Sequence, residues 1–317
     1  MQPRLRGVIL VLVAAAIWGS SFVVIKVGLS DPGGGLPPAP PVTSSLLRFL
    51  VAVGASAVIL RAYGPLRLRA LRDPLVVAIG LANAAGYALQ YMGLVQTNPA
   101  VASLLANIGV VVTVALSAAV LNERIRLRTA FAVTLAFAGG SVLATRGDLT
   151  SLGTPAFASA MMIVVASVFW SVYVVLNKLS LERGPHSEAE LAFSIFVLTA
   201  ALTAPVAIAL EGMPTLQYSA AAWGSIFYNG VLCSSVAFVV YMAGLRRLTA
   251  SATAVLTVAE ILVAFVLTVI VFAEGLTGIS AVGAALVVGG ILLTALRGNG
   301  NPPERQGAGP ASPKGEP

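Results

Sequence analysis

The chain has 317 residues, of which 58% are hydrophobic and only 10% charged, with a net charge of +7 and a mean hydropathy of +0.93. A soluble domain covers its surface with about a quarter charged residues, so this composition excludes one. The charge invites a nucleic-acid reading, but the positions of the basic residues explain it better.

A helix needs about 20 apolar residues to cross a bilayer core of about 30 Å. Ten such stretches follow in order: 7–29, 42–61, 74–95, 99–121, 128–146, 157–180, 190–210, 222–245, 249–273 and 278–296. The first is too long for a signal-peptide core and lacks a small-residue cleavage site, so it reads as a retained span. Between the first two, "DPGGGLPPAPP" at 31–41 cannot be helical and reads as a loop. After Gly298 the chain is rich in Gly and Pro, and 298–317 reads as a disordered cytoplasmic tail.

With the N-terminus placed in the cytoplasm, sixteen of the nineteen Lys and Arg residues fall on the cytoplasmic side. Arg146 lies in an outer loop, and Lys26 and Arg48 lie near outer helix ends. This is the positive-inside bias of a multi-pass protein of the cell (inner) membrane with both termini cytoplasmic. The lipid bilayer, through acidic headgroups, is the expected partner of this charge, and no nucleic acid is.

The sequence also repeats. "AAAIWGSSFVVIK" at 14–26 returns as "VASVFWSVYVVLNK" at 165–178, pairing Trp18 and Lys26 with Trp170 and Lys178. "YMGL" at 91–94 returns as "YMAGL" at 241–245, the stretch ending at Glu123 returns ending at Glu274, and the glycine pair 139–140 returns at 289–290. Five spans per half is an odd number, so the second half enters the membrane inverted. The expected fold is therefore all-α and integral to the membrane. Its ten transmembrane helices form two inverted five-helix repeats, 1–147 and 148–297.

With these pieces in order, together with "LLRF" around Arg48 and Phe49, the chain resembles the EamA type of the drug/metabolite transporter superfamily. That resemblance implies ten spans, alternating access, and export of amino acids or related metabolites, with exporters of aromatic and other amino acids the nearest kind. Many members carry a proline within the fourth and ninth helices. Here those positions read Val110 and Ile261, so a proline-made pivot is absent or displaced.

Polar groups inside a membrane face the bundle interior or a wet cavity. The third helix offers Asn83, Tyr87, Gln90 and Tyr91 on one face, and the fourth offers Ser103 and Asn107. The ninth offers Thr253, Thr257 and Glu260, the eighth Tyr228 and Asn229, and the first and sixth Trp18, Ser21, Trp170 and Tyr173. The pathway set is Trp18, Ser21, Asn83, Tyr87, Tyr91, Asn107, Trp170, Tyr173, Tyr228, Asn229, Thr257 and Glu260. For each Ser and Thr the competing reading is a helix-packing contact. Glu260 is the only acid near mid-span. It is a proton-coupling site, a ligand for a substrate ammonium, a hydrogen-bonding group or a structural polar residue.

Lys26, Arg48, Glu123, Lys178 and Glu274 read as gate or helix-end charges. The two lysines either snorkel to water or pair with a carboxylate or substrate. The three aspartates lie in loops, one His and one Cys cannot build a usual structural zinc site, and there is no phosphate-binding GxxxxGK[ST]. The chain is expected to be no enzyme and to carry neither metal nor cofactor. It would act on a small-molecule substrate as an alternating-access carrier, with protons as a candidate coupling partner. The alternatives are a carrier of nucleosides or cationic compounds, or a passive channel.

Overall fold

The computed structural model describes residues 3–30, 35–63, 69–123, 127–145, 157–272 and 278–295. Glu274, the 146–156 connection and the tail from 298 lie outside the described residues. Every regular element among those described is helical. They are α1 (Pro3–Leu29), α2 (Pro41–Tyr63), α3 (Pro74–Leu94), α4 (Pro99–Asn107), α5 (Gly109–Leu121), α6 (Leu127–Thr145), α7 (Phe157–Arg183), α8 (Glu188–Glu211), α9 (Ala220–Tyr228), α10 (Ala237–Leu245), α11 (Ala250–Thr257), α12 (Ala259–Val271) and α13 (Gly278–Ala295). A π-helical segment, Asn229–Val236, joins α9 to α10.

Local chemistry sets the helix starts. Asp73 and Asn98 each accept a backbone N–H two residues on, at 2.9 Å, with Pro74 and Pro99 at the first helical position. Ser187, Ser219 and Thr249 each accept from the backbone three residues on. Such caps satisfy donors that a helix end otherwise leaves bare, and proline fits the first turn because its missing N–H is not needed there. Asn122 ends α5 in the left-handed region at φ 53°, the conformation of a helix C-cap.

Eight helical stretches among the described residues are long and apolar enough to cross a membrane: 3–29, 41–59, 74–94, 99–121, 158–183, 188–211, 220–245 and 250–271. In α6 and α13 the apolar run is shorter, Leu127–Gly139 and Ala281–Gly290. This is a multi-pass helical membrane protein.

Two of the long spans break, and a third, 220–245, carries the π segment. The 99–121 span breaks at Ile108 and the 250–271 span at Val258. At each break the N–H reaches back only three residues, from Ile108 to Leu105 and from Val258 to Val255. A tight turn of this kind needs no proline, and the breaks fall two and three residues before the positions read from the sequence.

Packing follows a pairwise pattern. α1 lies against α9, α10 and α12, while α7 lies against α3 and α5; α2 faces α8, and α6 faces α13. Small residues bring these helices close. A Cβ on Gly19 of α1 would lie 2.5 Å from the Glu260 carbonyl oxygen, and one on Gly109 would lie 2.5 Å from that of Ser167. The largest apolar cluster gathers around Phe22, Phe49, Tyr87, Tyr173, Phe196, Phe238 and Tyr241.

Candidate functional site

The two breaks lie side by side. Asn107 ends α4 and Glu260 lies in the first turn of α12; the Asn107 Nδ2 donates to Glu260 Oε1 at 2.6 Å and to the Ser103 carbonyl at 2.8 Å. Thr257 ends α11, and its hydroxyl bonds back to the Ala254 carbonyl at 2.7 Å. Just after the first break, Ser171 Oγ of α7 donates to the Gly109 carbonyl at 2.7 Å.

A cavity opens next to this junction. Its empty space, open mouth included, is about 750 Å³. Its lining includes Asn107, Thr113, Thr257 and Glu260 together with aromatic side chains of α1, α3, α7 and α10. The aromatics interlock. Phe238 lies 5.0 Å from Trp18, 5.7 Å from Tyr173 and 6.5 Å from Tyr87, and Tyr87 meets Trp170 edge-on at 5.5 Å. Such walls offer apolar area, and their ring faces attract cations.

Among the sequence-derived pathway residues, Trp18, Ser21, Tyr87, Asn107, Trp170, Tyr173, Thr257 and Glu260 line this cavity. The other four do not. Asn83 donates to Thr199 Oγ1 at 2.9 Å and joins α3 to α8, and Tyr91 is buried beside Arg48. The Tyr228 hydroxyl pairs with Ser20 Oγ at 2.8 Å, and Asn229 accepts from Ser21 Oγ at 2.5 Å while donating to the Ser225 carbonyl. These four side chains meet protein partners behind the wall rather than the open space.

Phe22, Gln90, Phe238 and Tyr241 also line the cavity. Gln90 shares the α3 stripe and Tyr241 is the repeat mate of Tyr91, so both carried a signal. Phe238 had none, because an apolar residue in an apolar span looks the same facing lipid or a cavity. The Trp18 Nε1 donates to the Cys233 carbonyl at 2.8 Å, tying α1 to the π segment, a form of helix common at functional sites.

The helix-end charges need correction. Arg48 was expected near an outer helix end; it is the eighth residue of α2 and has no exposed surface. Its Nε donates to Ser234 Oγ at 2.9 Å and its Nη2 to Tyr87 Oη at 3.3 Å. The lysines do more than snorkel. Lys26 Nζ binds the Leu94 and Val95 carbonyls at the end of α3, at 3.0 and 2.7 Å. Lys178, 2% exposed, binds the Leu245 carbonyl at 3.1 Å and Glu182 at 3.2 Å. Both cap the bare carbonyls of a helix C-terminus, where a cation is favoured. Glu123 does the converse, accepting from the Ala250 and Ser251 N–H groups at the start of α11. No group of three or more His, Cys, Asp or Glu among the described residues could hold a metal ion.

A multi-pass helical bundle with an aromatic and polar cavity between broken spans has the form of a membrane solute transporter. The chain belongs to the EamA-like transporter family, whose family model matches residues 5–145 and again 157–296. It is a transporter and not an enzyme.

It is 30% identical over 292 residues to a protein named as a probable terminal-alkyne amino-acid exporter of Streptantibioticus cattleyicolor, covering 91% of this chain and 93% of that one. It is 26% identical to a probable amino-acid metabolite efflux pump of Salmonella typhimurium over 90% of this chain and 93% of that one. To the aromatic amino acid exporter YddG of Ancylobacter novellus it is 27% identical over 81% of this chain and 88% of that one. A solved crystal structure shares the fold with a TM-score of 0.72 at 24% identity, over 92% of this chain and 97% of the other.

Proposed function

We propose that this chain is a secondary transporter of the cell (inner) membrane that exports amino acids or related small metabolites by alternating access. Ten spans form two inverted halves, 1–147 and 148–297, and both termini are cytoplasmic. The cavity at the junction of the two broken spans carries the reading, because both halves line it: Trp18, Tyr87 and Asn107 from the first, Trp170, Tyr173 and Glu260 from the second. The pathway set read from the sequence acts here, with the cavity-lining members contacting solute and Asn83, Tyr91, Tyr228 and Asn229 supporting them.

Several observations support two halves. The family model matches twice in succession. Exchanging the halves exchanges the packing partners, since α1 lies on α10 as α7 lies on α3. The breaks at Ile108 and Val258 come at equivalent places, and so do the capping lysines. The amino-acid assignment rests on the names of the relatives, and the cavity chemistry agrees with it: one carboxyl for an ammonium group and aromatic walls for a side chain. Glu260 is the group placed to bind that ammonium or to carry a coupling proton.

Counterflow in proteoliposomes tests this reading. A carrier preloaded with unlabelled substrate accelerates uptake of labelled substrate. A channel shows no such trans-acceleration, and its absence for all twenty proteinogenic amino acids would reject amino-acid export.

A further inference from the structure

Arg48 is a cation buried inside a span with no carboxylate among its described contacts. Its partners are neutral: Ser234 Oγ, Tyr87 Oη and the faces of two rings, with the guanidinium carbon 4.3 Å from the Tyr87 centroid and 5.4 Å from that of Phe49. Tyr91 lies alongside. Nη1 is buried and has no hydrogen-bond partner. A buried charge without a counter-ion is costly in a membrane and marks function more often than packing.

The fold does not demand it. On the α3 side, Gly80 packs against the Leu198 Cβ of α8; on the opposite side, Gly230 packs against the Val51 Cβ of α2. Three residues before Leu198 comes Ile195, and three before Val51 comes Arg48. Ile195 is as fully buried as Arg48. One half therefore fills this place with an aliphatic side chain, and packing alone does not account for a guanidinium in the other.

Tyr87 connects this charge to the cavity, since Tyr87 is among the lining residues and Arg48 is not. Because the phenol oxygen accepts from Arg48, the hydroxyl proton remains free to donate elsewhere. We propose that Arg48 is a positioning residue that makes Tyr87 the anion-reading group of the cavity: Tyr87 donates to a substrate carboxylate, and the guanidinium behind the ring balances its charge. Glu260, which also lines the cavity, then meets the opposite pole of a zwitterion. This rests on the export reading above and adds to it the group that distinguishes an amino acid from an amine.

The test is counterflow of each proteinogenic amino acid beside its carboxyl amide, which keeps the ammonium and side chain but loses the negative charge. Wild type should prefer the acid. Hydrogen bonds to charged groups account for roughly tenfold in affinity, so Y87F and R48Q should each raise the half-saturation concentration of the acid about tenfold more than that of the amide, with R48K recovering part of the difference. A merely structural role would lower transport of acid and amide together. If R48Q fails to insert, Y87F alone decides, since it keeps the cation. An unchanged acid-to-amide ratio in Y87F, or equal transport of the two by wild type, would overturn the proposal and leave export intact. No counterflow of any amino acid by wild type would instead reject export itself.

Discussion

Asn107 Nδ2 donates to Glu260 Oε1 at 2.6 Å, so the residue that ends α4 holds the carboxyl in the first turn of α12. The bond spans the two breaks and places one acidic group where both parts of the chain meet the cavity. Glu260→Gln keeps the shape but cannot ionise. If Glu260 couples protons, the variant should retain substrate exchange and lose accumulation driven by a pH gradient. If it pairs with the substrate ammonium, affinity for amines should fall instead. Wild-type behaviour in both assays would leave Glu260 a structural polar group. Asn107→Ala leaves the carboxyl short of a partner, at about 1–3 kcal/mol, and should lower the thermal midpoint as well as transport.

The two tryptophans differ in their attachments. Trp18 bonds to the Cys233 carbonyl, whereas the Trp170 Nε1 is buried with no hydrogen-bond partner. Trp18→Ala and Trp170→Ala should each weaken apparent substrate affinity by about 1–3 kcal/mol while membrane insertion persists. Only the first should also lower the thermal midpoint clearly, because it frees the π segment. Unchanged kinetics in both variants would return them to packing.

Gly19 has no room for a methyl group. Its Cβ would meet the Glu260 carbonyl oxygen at 2.5 Å and the Val263 Cβ at 2.7 Å. Gly19→Ala must push α1 away from the α12 break, at about 1–3 kcal/mol, and transport should fall further than stability. Gly54, with nothing within 4 Å of such a Cβ, is the control: Gly54→Ala should leave transport at its wild-type value and the midpoint equal or slightly higher. Equal behaviour of the two alanine variants would contradict the close packing argued here.

Orientation is open to labelling. In a Cys233→Ser background, a cysteine at Pro37 should react with an impermeant maleimide from outside, and one at Arg69 only after permeabilisation. The reverse pattern would overturn the cytoplasmic placement of both termini.

How far the sequence carried can be judged from these residues. Membrane character, the places of the spans and the doubling of Trp18 with Trp170 follow from hydropathy and spacing, which are one-dimensional properties. Glu260 stood out because a carboxylate at mid-span is costly wherever it points. Direction was harder. Asn83, Tyr87, Gln90 and Tyr91 share one stripe of α3, yet Tyr87 and Gln90 reach the cavity while Asn83 meets Thr199 and Tyr91 lies by Arg48. Periodicity names a face of about 100° but not which neighbour covers each part of it. Arg48 is a related case: nothing within its own span signals burial, because the neutral partners that bury it come from α3 and the π segment, far away in sequence.

The central claim is that the two halves move against each other around the cavity. Where α5 approaches the start of α11, the Ser117 and Ser251 hydroxyls are 2.6 Å apart, close enough for paired cysteines to reach an S–S bond of about 2.05 Å. The decisive measurement is counterflow by Ser117→Cys/Ser251→Cys in the Cys233→Ser background, before oxidation, after it, and after reduction. Rocking halves predict active transport, then its loss, then its return with reductant. Full transport through the quantitatively cross-linked protein would contradict the account.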